Sequence, residues 1–289
     1  MLIARSLPVL VAIAFPAAAF AQDAEVKGQK AAAVENMKRA GVDKPAAIET
    51  TSLLVYSSLT EAKTKPVADT AQKAFDAAKK ALKFDDKDKP WAGKLTVYVL
   101  ADRKEYASFV RLVESRKPET DETWAVQVRG AEPYAAIGAK SEAGLSGEAA
   151  AGVAVALLDQ KAGASSATFT LPSWLHTGFG RAIAVRQNPR ALDDHRAKVK
   201  ALFARNKLGT FAAAQVWGAE KLKDADTYAT SLVEYLVFGT DGDKFAKFLG
   251  GYKPGENQME PTTANALEAA NWTPETLDTA WKTWVVKQK

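Results

Sequence analysis

The sequence contains no cysteine and only two histidines. Without cysteine no disulfide can support the fold, so in an oxidising compartment the hydrophobic core must suffice. The same absence removes a thiol nucleophile and any lipid attached to a new N-terminal cysteine. No Gly-x-Ser-x-Gly string offers a serine nucleophile instead. Beyond residue 21 long apolar runs are also missing; Ala149 to Leu158 comes nearest and suits a buried helix. There is no internal repeat and no low-complexity linker that would separate independent domains. At 289 residues the chain can still build a core, since a chain this long buries roughly three quarters of its unfolded surface.

What is present starts with a targeting pattern. Met1 to Arg5 is short and positive, Leu7 to Ala19 is apolar, and Ala19-Phe20-Ala21 precedes the polar Gln22-Asp23. This predicts a secretory signal over residues 1–21, cleaved after Ala21, and a mature protein in the periplasm or outside the cell. A transmembrane anchor is the competing reading, but Pro8 and Pro16 interrupt the run and it falls short of the roughly 20 residues a spanning helix needs.

The net charge of +5 is modest. Basic residues concentrate at Arg181, Arg186, Arg190, Arg196, Lys198, Lys200, Arg205 and Lys207, opposed only by Asp193 and Asp194. Such a face would suit an anionic envelope polymer, or it is simply the solvated side of a helix. No aromatic interleaving accompanies it, so nucleic acid is not expected as a partner.

Residues 22–50 are rich in Ala and Lys, with a short helix predicted at Lys30 to Arg39, and read as a loosely attached leader. Residues 51–144 read as a sheet-containing subdomain. Strands are predicted at Thr51 to Ser57, Leu95 to Leu100, Trp124 to Arg129 and Tyr134 to Ala139, the last two as a hairpin or meander. Val67, Ala71, Ala74, Phe75, Ala78 and Leu82 fall at helical spacing between Pro66 and Phe84. Asp102 with Glu105 three residues on predicts a reciprocal cap for the next helix. Residues 145–289 are almost entirely helical, with helices predicted at Gly147 to Lys161, Pro172 to Gln187, Thr227 to Phe238 capped by Asp226, and a last one capped by Thr273. Strands first and helices after give an α+β fold, a small mixed sheet with helices followed by a helical C-terminal lobe.

Four strings, in this order, carry a resemblance: Lys94 to Tyr106 (KLTVYVLADRKEY), Leu171 to Gly178 (LPSWLHTG), Tyr228 to Leu236 (YATSLVEYL) and Thr273 to Trp284 (TPETLDTAWKTW). Together they resemble the thermolysin-like (gluzincin) peptidase domains of the DUF1570 and "peptidase MA-like" type, over about Thr51 to the C-terminus. The resemblance implies a zincin-like fold, with a cleft between the sheet subdomain and the helical lobe. In that family the active-site helix carries HExxH, whose two His face one way to bind zinc while the Glu activates water. Here the motif falls over Ala151, Gly152, Val153, Ala154 and Val155, or, in an earlier register, over Gly147 to Ala151 with Glu148 as the one acid kept. The family's third ligand, the Glu of WLxEG, is replaced by Thr177 in Trp174-Leu-His-Thr-Gly178. With all three ligands missing, no metal or other cofactor is expected and peptide cleavage by the family mechanism is not expected.

The implied cleft keeps a binding function open. By strand addition an edge strand beside the active-site helix would take an extended peptide, with Tyr134 to Ala139 as its counterpart here. Tyr134, Ala136, Trp174, His176 and Tyr228 are then the candidate groove residues, although Trp174 and Tyr228 also suit the packing of the lobe interface. Competing readings are an envelope-associated structural protein using the basic face and a hydrolase of unrecognised mechanism. Neither a metal site at His176 and His195 nor a two-carboxylate glycosidase is marked by any spacing.

Overall fold

Leu95–Leu100 is buried along its whole length, as a strand must be when helices cover both faces of its sheet. The computed structural model describes residues 17–85, 87–130, 132–164, 170–205, 213–217, 223–253 and 262–288. Most of the expected signal, residues 1–16, lies outside them, as does Lys207. The chain runs α1 (Ala17–Arg39), β1 (Ala46–Glu49), β2 (Leu53–Ser57), α2 (Glu61–Ala81), β3 (Leu95–Leu100), α3 (Arg103–Leu112), β4 (Trp124–Gln127) and β5 (Tyr134–Gly138). The lobe follows as α4 (Leu145–Ala162), α5 (Ser173–Arg186), α6 (Pro189–Arg205), α7 (Ala214–Trp217), α8 (Ala225–Phe238), α9 (Phe245–Gly250), α10 (Thr263–Ala269) and α11 (Pro274–Lys287). This is the expected α+β architecture. Among the described residues no helix is long and apolar enough to cross a membrane.

The five strands lie in the order β1-β2-β3-β5-β4. β2, β3 and β5 are parallel, while β1 and β4 flank them antiparallel. Side chains alternate across the sheet. Leu53, Val55, Val97, Val99, Ala135 and Ile137 face the main core, which continues into α2, α4 and the lobe. Leu54, Tyr56, Tyr98, Leu100, Tyr134 and Ala136 face a second, smaller core under α1 and α3.

That second core corrects the reading of residues 22–50 as a loose leader. Ala33 and Met37 of α1 are fully buried in it. Gln29 is buried too, and its side-chain amide both donates to the Lys94 carbonyl at 2.9 Å and accepts from the Lys94 amide at 3.1 Å. The sequence hides this docking because the stripe Gln29, Ala33, Met37 is short and partly polar. Residues 46–49 form β1, paired with β2.

Local signals at several ends behave as their chemistry requires. Asp102 and Glu105 form the reciprocal cap of α3, and Thr273 caps α11 with Pro274 in its first turn. Two details differ. α8 begins at Ala225, so Asp226 lies within its first turn and Asp224 occupies the cap position. The Thr262 cap starts α10, which periodicity did not reveal because the helix is only seven residues long.

Candidate functional site

α4 is buried on nearly every side because its sequence from Ala149 to Leu158 offers no polar face. It lies over β5 and β4 and runs antiparallel to α5, as the paired contacts down the two helices show. Asp159 meets His176, Ala151 and Val155 meet Gly180, and Glu148 meets Arg181. The crossing is close because Gly180 has no side chain. A Cβ there would lie 3.0 Å from both the Ala151 carbonyl oxygen and Val155 Cγ2.

This contact occupies the positions that the gluzincin resemblance would assign to metal ligands. Ala151 and Val155, where the family's imidazoles would stand, are 0% and 1% exposed and face α5 at van der Waals distance. Gly152 faces the sheet instead, where a Cβ would strike Ile137 Cδ1 at 2.5 Å. Thr177, half-buried, stands one turn before the crossing on α5. In the earlier register Glu148 is present but engaged. One carboxylate oxygen accepts from Arg181 at 2.7 Å and the other from the Thr123 hydroxyl at 2.7 Å. The Arg181 guanidinium also covers the Trp124 indole, 4.8 Å from its centroid. Among the described residues no group of three or more His, Asp or Glu gathers as a metal site would.

The five candidate groove residues do not share one surface. β5 is an inner strand, and on it Tyr134 and Ala136 point to the α3 face, away from α4. Tyr228 is fully buried against Phe203, and Trp174 packs on Trp217 and Phe248. His176 is the most accessible of the five, with Nε2 2.6 Å from Asp159 Oδ1. The expected edge strand was displaced by one position because the hairpin places β4, not β5, on the outside. β4 therefore borders α4 as one edge of the sheet, with β1 at the other. The Gly138 amide donates to the Thr123 carbonyl at 2.8 Å. The antiparallel alternation then turns Ala125 and Gln127 toward β5, and turns the amides and carbonyls of Trp124 and Val126 outward.

No family model, curated protein or solved structure matches this chain. The site must be read from its own geometry.

Three polar clusters escaped sequence reasoning, since each joins residues far apart in the chain or on different elements. Glu122 accepts from Arg116, from the Glu119 amide at 2.9 Å and from the Tyr106 hydroxyl at 2.9 Å, while Glu114 accepts from Arg116 and Tyr134. Burial works against ionised Glu122, but Arg116 and these hydrogen bonds outweigh it and hold the carboxyl below its usual range. Burial instead pushes Glu114 up. The two carboxylates are saturated by internal partners, which makes them a clasp for the chain between α3 and β4. The second cluster is the Glu148–Arg181–Thr123 set. In the third, Glu234 on α8 is 1% exposed and receives Arg186 at 3.0 Å and Arg196 at 2.9 Å.

The basic run is thereby dispersed. Arg181, Arg186 and Arg196 are turned inward to carboxylates, and Lys198 pairs with Asp224 at 3.5 Å. These cations do not form one free face. His195, from the same helix as Arg196, has a shielded Nε2 without a hydrogen-bond partner among the described residues. Burial, then Lys198 and Arg196, push its pKa down to about 4. The folded state thus takes up its proton later than the unfolded chain. Stability should be intact above pH ~6.5 and fall by roughly 2–3 kcal/mol as pH drops toward 4. Urea titrations across that range on the wild type and on His195→Phe should show a shallower acid loss in the variant. Equal slopes would mean that His195 protonates freely.

Proposed function

We propose that this chain is a non-catalytic, exported binding or scaffolding protein on a zincin-like scaffold, which takes up an extended peptide or protein segment along the edge of its sheet. The observation that carries this reading is the α4–α5 crossing at Gly180. Hydrocarbon fills the place where the family's ligands would converge, while the outer side of β4 beside it pairs with no strand among the described residues. Strand addition needs an open edge with outward amides and carbonyls, and Trp124 and Val126 supply them. The Arg181 and Glu148 pair fixes the Trp124 ring at one end of that edge. An envelope polymer held by the basic run is less well supported, because its arginines are committed to internal carboxylates.

The test uses a proline. Val126→Pro removes one outward amide and leaves the ladder to β5 intact, a position edge strands tolerate. Peptides selected from a displayed library on the wild-type protein should bind saturably and lose at least tenfold in affinity to Val126→Pro. Failure to select any saturable peptide, or undiminished affinity in the variant, would refute strand addition.

A further inference from the structure

The C-terminal ends of α2, α5 and α8 converge on a cleft of about 620 Å³. That volume falls within the roughly 300–1,000 Å³ of small-molecule sites. Its wall is apolar, formed by Ala77 of α2, Ile183 of α5, and Val237 and Phe238 of α8. Its mouth carries the cations Lys80, Lys83 and Arg186, with Asp243 against Lys83 at the rim and Glu234 behind Arg186. Arg186 is held in place by Glu234 behind it and by the Phe238 ring, whose centroid is 4.0 Å from the guanidinium carbon.

A lysine in the last turn of a helix needs no ligand to explain it, because it offsets the helix dipole. That accounts for Lys80. It does not account for Lys83, which stands past the end of α2 with φ of +53°. The Lys83 amide bonds back to Lys80 and that of Phe84 to Lys79, the turn in which glycine is the usual residue because it adopts this backbone without steric cost. A side-chain-bearing residue stands here in a strained conformation that glycine would adopt without that cost. Its ammonium reaches across to Asp243 at 2.5 Å, at the mouth of the cleft.

We infer that this cleft is a binding site for a small amphipathic anion, its acidic head among Lys80, Lys83 and Arg186 and its apolar body against Ile183, Val237 and Phe238. The site is separate from the β4 edge and stands or falls independently of the reading above. It makes no covalent demand on the ligand.

The probe is anilinonaphthalene sulfonate, a fluorescent amphipathic anion, compared with its uncharged relative phenylnaphthylamine on the full chain. The sulfonate should saturate at one equivalent, be displaced by decanoate, and bind about fivefold more tightly than the neutral relative, the scale of one exposed charge pairing. Ala77→Trp, which fills the cleft, should lower its affinity at least tenfold. Lys83→Gly should weaken it about fivefold without lowering the melting temperature, a combination that a purely structural lysine would not produce. The inference is overturned by non-saturating fluorescence, by equal affinity for the neutral relative, by binding that survives Ala77→Trp, or by a Lys83→Gly protein that binds as well as the wild type.

Discussion

Replacing Arg186 and Arg196 together by methionine is expected to destabilise the fold by about 3–5 kcal/mol, because it leaves the Glu234 carboxylate buried and unpaired. Glu234 is 1% exposed, and its second oxygen already lacks a partner among the described residues. A domain of this kind has only about 5–15 kcal/mol of stability in total. The loss should come mainly from the stranded charge, so changing Glu234 to leucine in the same protein should recover most of it. Denaturant melts of the double and triple variants measure the difference. If the triple variant is no more stable than the double, packing by the arginine stems and not charge pairing holds α5, α6 and α8 together.

Writing the gluzincin ligand set into the positions that the sequence resemblance assigns to it is expected to damage the protein without creating a zinc site. In Ala151→His/Val155→His/Thr177→Glu, two imidazoles must enter an interface where Gly180 already lies at contact distance from both helical positions. Overpacking costs about 1–3 kcal/mol per site, and each ring brings a polar nitrogen into an apolar contact. A total loss of about 4 kcal/mol or more is expected, with no stoichiometric zinc after dialysis against the metal. Elemental analysis with a parallel urea melt decides it. A variant that keeps wild-type stability and retains one zinc would show that the crossing can open, and would remove the basis of the non-catalytic reading.

Much of the fold was legible in the sequence because its signals are local. The caps at Asp102 and Thr273 are satisfied within three residues, and the period of the α2 stripe is visible in any window of that helix. The candidate site was legible only in its absences: alkyl groups at 151 and 155 and a hydroxyl at 177 can be read without a structure. What stands there instead could not be. Sequence reasoning placed the open edge on β5, since alternation identifies a strand but not its rank in the sheet. It treated Arg181 and Arg186 as parts of a solvated face, since their partners Glu148 and Glu234 lie 33 and 48 residues away. It also set aside residues 22–50, whose docking rests on the buried Gln29, Ala33 and Met37 and on the pairing of β1 with β2.

The sequence by itself determined the element types, the α+β order and the absence of imidazole at 151 and 155 and of carboxylate at 177, because side-chain identity, propensity, capping and periodicity are read over a few neighbouring residues. Only the tertiary structure decided that α4 and α5 close on each other at Gly180, that β4 is an edge of the sheet, and that three helix ends line one cleft. Those outcomes depend on which helices and strands become neighbours, and that choice is made by burial summed over the whole chain.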